Sequence, residues 1–106
     1  MVAKLPPLDR NGYLCNLADW SPEVADALAA DAGIELDAAH WEVIRLLRDF
    51  HARFKLAPTN RALVRAVANE LGPDKGRSIY LMRLFGGSPA LTAARIAGLP
   101  RPTHCF

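Results

Sequence analysis

The sequence predicts a mainly α protein of one domain. It is a small bundle of about five helices, with an N-terminal β-hairpin and an extended C-terminal arm. Three observations predict this. Helix start and stop signals recur along residues 21–98, with Ser, Thr or Asp as caps and Gly or Pro as terminators. One Asn-Gly pair, Asn11-Gly12, sits between two short apolar runs. Two prolines, Pro100 and Pro102, punctuate the final segment. A chain of 106 residues fits one hydrophobic core.

Taken in order, residues 1–7 read as a flexible lead-in, because Pro6 and Pro7 block a helix. Residues 8–16 read as the hairpin. Asn-Gly favours a type I′ turn, since both positions tolerate positive φ. Strands at 8–10 and 13–16 would flank it. Residues 21–98 read as the helical bundle. In "SPEVADALAADAG", Ser21 is the cap, Pro22 the first helical position and Gly33 the stop. In "DAAHWEVIRLLRDFHARFKLAP", Asp37 is the cap and Pro58 the terminator. Trp41, Ile44, Leu47 and Phe54 recur at helical period, so this segment reads as the central helix.

Thr59 caps the next helix and Gly72 ends it. Asp74 opens a shorter one, "KGRSIYLMRLF", which Gly86-Gly87 closes. Ser88 and Pro89 then start "SPALTAARIAG", and Gly98 stops it. Residues 99–106 form the arm, read as mobile and kept from helix by its prolines.

The bulk numbers exclude several classes. The chain is 51% hydrophobic, yet charge interrupts every long apolar stretch. No run approaches the ~20 apolar residues of a membrane helix. "MVAKLPPLDR" lacks the apolar core of a secretory signal, so a cytoplasmic location is expected. A net charge of +2 is too weak to argue nucleic-acid binding by itself. Two cysteines, Cys15 and Cys105, do not make a metal site. Neither a metal nor a cofactor is expected.

Cys105 is the candidate catalytic residue. It lies seven residues beyond Gly98 on an arm stiffened by proline. At roughly 3.3 Å per residue that arm reaches about 20 Å. A short arm does not hold reacting groups to the ~0.5 Å that catalysis needs. It suits a thiol that carries a group into another protein's pocket: a persulfide sulfur, an acyl group or a mixed disulfide. Arg101 and a protonated His104 would favour the thiolate, and the terminal carboxylate would oppose it. Neighbours in an extended segment point to opposite sides, so His104 is not read as a catalytic partner of Cys105.

Arg61 and Arg65 lie four apart on one helix face, and Lys75 and Arg77 open the next helix. They read as a basic platform near the arm that would bind an acidic partner or an anionic persulfide. The two helices around "LGPDKG" also resemble a helix-turn-helix, which leaves DNA binding as a minor alternative. Cys15 reads as a small apolar filler or an incidental thiol. His40 and His51 read as surface or boundary residues.

The segments "NGYLCNLADW", "HWEVIRLLRDFHARF", "APTNRALVRAV" and "SIYLMRLFGGSPALTAARIAGLPRPTHC" resemble, in order and spacing, the TusE/DsrC family. The resemblance runs from about Asp9 to Phe106, and the penultimate cysteine is its specific part. It implies a small helical sulfur carrier whose Cys105 takes a persulfide sulfur. In the branch that partners dissimilatory sulfite reductase it implies a second cysteine about eleven residues upstream; this chain has Ala94 there. The one-cysteine, TusE-like branch implies sulfur received from a TusBCD-like donor complex. The acceptor would be an MnmA-like tRNA thiouridylase that thiolates the wobble uridine, with tRNA met only through it. The free protein is expected to be monomeric and away from membranes. The family commonly has Gly where this chain has His104, and Val or Ile where it has Phe106. A non-catalytic partner of sulfite reductase, or a regulator, is the alternative.

Overall fold

The computed structural model describes residues 5–102. A 3₁₀ turn at Leu17–Asp19 precedes five helices. These are α1 (Pro22–Asp31), α2 (Ala38–Phe54), α3 (Asn60–Leu71), α4 (Ser78–Phe85) and α5 (Pro89–Ile96). No helix among them is long and apolar enough to cross a membrane.

Three of the predicted starts are capped as their sequences dictate. Ser21 Oγ accepts from the Val24 N–H, Asp37 Oδ1 from Ala39 and His40, and Thr59 Oγ1 from Ala62. Two starts differ. Asp74 lies in a turn, with the Lys75 and Gly76 N–H groups bonded to Gly72 O, so α4 begins four residues later. Gly76 holds this turn against α3, since a Cβ there would lie 2.3 Å from Ala68 Cβ. Ser88 makes no side-chain cap bond. Asn60, from the start of α3, reaches across and accepts the Ala90 N–H at 2.8 Å.

The expected β-hairpin is not formed: the described residues contain no strand, only one antiparallel bridge between Leu8 and Leu14. The turn is there, but Asp9 organises it. Its carboxylate accepts from the Asn11 and Tyr13 N–H groups, and its carbonyl accepts from Gly12. Gly12 has φ +85°, whereas Asn11 stays at negative φ, so the type I′ geometry does not arise. Pro6 and Pro7 offer no N–H on one side, and Asn16 caps the 3₁₀ turn on the other. The ladder therefore stops after one bridge.

The hub of the bundle is α5, not α2. It packs against α1, α2, α3 and α4. Ala90, Ala93, Ala94 and Ile96 are fully buried on it. Small side chains let four helices approach closely. Around them lie Leu28, Ile44, Leu47, Leu63, Leu81 and Phe85, all buried. Each contributes about 1.5–3 kcal/mol by leaving water.

His40 is also inside, contrary to the surface or boundary reading. It is 7% exposed, stands edge-on to Phe85 and donates from Nε2 to Leu84 O at 2.8 Å. Its Nδ1 side faces Asp37, completing the capping box of α2. It ties the start of α2 to the end of α4 and leaves no nitrogen for a ligand.

Candidate functional site at the root of the arm

Cys105 and His104 lie outside the described residues. What the structure describes is the platform from which they extend, residues 98–102, and that platform is packed. Leu99 is 2% exposed and Pro102 is buried, while Pro100 and Arg101 face outward.

The platform begins at the C-terminus of α5. Helix ends leave carbonyls without intrahelical partners. Here the last four, from Ala94 to Ala97, are all met. Ala94 O accepts from the Leu99 N–H and Arg95 O from the Gly98 N–H, with Gly98 at φ +74°. This is a Schellman closure, and the positive φ is why glycine stands there. Ile96 O accepts from the Trp20 indole N–H at 2.9 Å. Ala97 O accepts from the Arg48 guanidinium at 2.6 Å. Arg48 also lies 3.9 Å over the Trp20 ring, so the two donors stack as one unit. Burial pushes the Arg48 pKa down, yet guanidinium keeps its charge, and a cation suits the negative end of a helix.

Two further bonds strap the N-terminal segment to α5. Tyr13 Oη donates to Leu91 O at 3.0 Å, and Arg95 Nε donates to Gly12 O at 3.0 Å. Arg95 also pairs with Asp31 at the end of α1. The Tyr13 hydroxyl faces Arg101; burial raises its pKa, and the Arg101 charge and hydrogen bond partly oppose that. Gly12 and Tyr13, the end of α1 and the arm root thus meet around α5.

The other sequence-predicted residues lie apart from this root. Arg61 and Arg65 are exposed on α3. Arg65 borders a groove of about 290 Å³ between α2 and α3, floored by Leu46, Phe50 and Phe54. Arg48 projects from the opposite side of α2. Lys75 precedes α4 and bonds Glu42 at 2.7 Å, which raises the lysine pKa. Cys15 is exposed, so it is a surface thiol and not a filler. Among the described residues no cluster of His, Cys, Asp and Glu has the form of a metal site.

Sequence reading missed Trp20, Arg48, Arg95 and Tyr13. One signal was available. Arg48 follows Trp41 and Ile44 by seven and four residues, which places a charge within the apolar stripe of α2.

Comparison with known proteins agrees with this architecture. The model of the DsrC-like protein family matches residues 3–106. Sulfurtransferase TusE of Salmonella typhimurium is 50% identical over 98 residues, covering 92% of this chain and 90% of the relative. DsrC of Allochromatium vinosum superposes with a TM-score of 0.85 at 46% identity, over 93% of this chain and 88% of that one. The oxidised γ-subunit of dissimilatory sulfite reductase (DsrC) from Archaeoglobus fulgidus gives 0.82 at 42% identity, over 95% and 92%.

Proposed function

The chain belongs to the DsrC-like protein family, and from that membership we propose that it is a sulfur-relay protein carrying a persulfide on Cys105. Its curated relatives are sulfurtransferases, which supports sulfur transfer in general. The observation that carries the reading is the arm root. A helix end with every terminal carbonyl bonded holds the start of a segment whose penultimate residue is a thiol.

The chemistry is two exchanges. The Cys105 thiolate attacks the outer sulfur of a donor persulfide, and the donor thiolate leaves. The acceptor's thiolate then attacks the outer sulfur on Cys105, and the Cys105 thiolate leaves. Thiolates alone supply both steps. The donor is a TusBCD-like complex in the cytoplasm. The acceptor is an MnmA-like thiouridylase acting on the wobble uridine of tRNA. Arg101 and His104 would favour the thiolate, and Arg61 and Arg65 would meet acidic partner surface.

A reductase-partner role is the second reading, favoured by the likeness to a γ-subunit of dissimilatory sulfite reductase at 42% identity. Against the two-thiol chemistry of that branch stands Ala94, whose methyl is sealed in the hub of the bundle.

The test is mass spectrometry after incubation with a persulfide donor. An adduct of about 32 Da is expected on Cys105, abolished in Cys105→Ser and retained in Cys15→Ser. Because Cys15 is exposed, it is a fair competitor. Label on Cys15 alone would overturn the proposal.

A further inference from the structure

We propose that the groove between α2 and α3 seats an amphipathic helix of a partner protein, laid antiparallel to α2. This goes beyond the carrier reading and does not depend on Cys105. The groove arises from a mismatch of side-chain size. Leu46, Phe50 and Phe54 stand four residues apart and make one apolar stripe of α2. From α3, Ala62 and Ala66 face them and are too small to close the gap. A hollow of about 290 Å³ remains. A second hollow of about 330 Å³ shares Leu46, Asp49 and Glu70 with it and continues toward Glu42 and Leu71. At about 1.5 Å per residue, the trough runs roughly 18 Å along α2 from Phe54 to Glu42, the length of a three-turn helix.

Its floor is open to water. Phe54 is 53% exposed, and its ring lies 4.7 Å from that of Phe50. Beside it the core stripe of α2, Val43, Ile44 and Leu47, is already fully buried. An aromatic floor outside a finished core marks an interaction surface. The groove lies on the flank of α2 away from Arg48, so its occupant leaves the carbonyls at the end of α5 uncovered.

Shape and charge identify the occupant. A two-fold copy would set trough against trough, whereas a concave face needs a ridge. A helix with aliphatic residues at i, i+4 and i+7 supplies one. Arg53 and Arg65 border the Phe54 end of the trough. Asp49 and Glu70 border its middle. Glu42 borders the far end, where Arg45 and the bonded Lys75 partly offset it. Helices favour acids in the first turn and bases in the last. Laid antiparallel to α2, such a helix sets its acids on Arg53 and Arg65 and its bases on Asp49, Glu70 and Glu42.

The probe is a synthetic helical peptide of about fourteen residues, with a leucine ridge, Glu in its first turn and Lys toward its last. Titrated into the ¹⁵N-labelled full chain, it is expected to shift the amides of Leu46, Phe50 and Ala66. Ala66→Leu fills the trough, and Phe54→Ser removes an exposed part of its floor; each is expected to weaken binding about tenfold. Ile79→Ser removes an exposed apolar side chain from α4 and is expected to change nothing. A peptide with Glu and Lys exchanged is expected to bind about tenfold more weakly at low salt. Absence of shifts in the groove, or an equal loss in Ile79→Ser, would overturn the docking site. Equal affinity for the two peptides would overturn the orientation. A parent dimer in sedimentation that Ala66→Leu abolishes would overturn the partner helix and make a second copy the occupant.

Discussion

Gly98→Ala is the sharpest perturbation of the arm root. Two costs meet at this position. Its φ is +74°, and holding an L-residue in the left-handed region costs about 1 kcal/mol. The new Cβ would also lie 2.3, 2.7 and 2.9 Å from Trp20 Cδ1, Cγ and Cβ. Trp20 is pinned by its indole bond and by Arg48, so it cannot swing aside cheaply. Overpacking of this kind costs about 1–3 kcal/mol. The sum is about 2–4 kcal/mol, or a fall in Tm of roughly 10–25 °C for a domain of this size.

Gly33→Ala provides the reference. Gly33 has φ +76°, close to that of Gly98, and a Cβ added there would meet nothing within 4 Å, so it carries the strain alone. Its expected loss is about 1 kcal/mol, or roughly 5 °C. Urea and thermal unfolding of both variants, and of Gly98→Ala in a Trp20→Ala background, form a cycle. The coupling between positions 98 and 20 should be about 1–3 kcal/mol. Equal losses at Gly98 and Gly33, or no relief from removing Trp20, would rule out the steric cost at Gly98.

Gly76→Ala should destabilise although its φ is ordinary. Its Cβ would meet Ala68 Cβ, Cα and N at 2.3–2.5 Å, and backbone atoms cannot yield, so about 1–3 kcal/mol should be lost in urea titration. The Asp37 carboxyl is held below its ordinary value of 3.8, first by its hydrogen bond with the His40 ring. The charged form is therefore favoured in the fold. That stability is present above the ordinary value and is lost as pH falls through the lowered one. Asp37→Asn, which keeps a capping oxygen, should flatten the acid limb of the urea midpoint against pH.

What the sequence made legible was local chemistry. Ser21, Asp37 and Thr59 bond N–H groups two or three residues away, and such bonds are encoded by neighbours. Asp74 and Ser88 carry the same residue types, but tertiary contacts decide those starts. Gly76 must lie on Ala68, and Asn60 already holds the Ala90 N–H. The hairpin reading failed for a related reason. Asn-Gly specified a turn, but a ladder needs donors from both sides, and the prolines withhold them. The hub at α5 was hidden because alanine gives a weak hydrophobic stripe, while its value here is its size. Cys105 was visible as an outlying thiol. Its anchor was not, because Trp20 and Arg48 are 76 and 49 residues from the carbonyls they hold.

The closure of α5 also sets a clock. The Leu99 N–H is bonded to Ala94 O on a helix that touches every other helix, and Leu99 itself is 2% exposed. An amide so placed exchanges its hydrogen through opening of the whole bundle, not through local fraying. The start of the arm therefore shares the lifetime of the fold itself, six residues before its thiol. Segments that deliver a group are ordinarily the first part of a molecule to come loose. This one is fastened to the part that comes apart last.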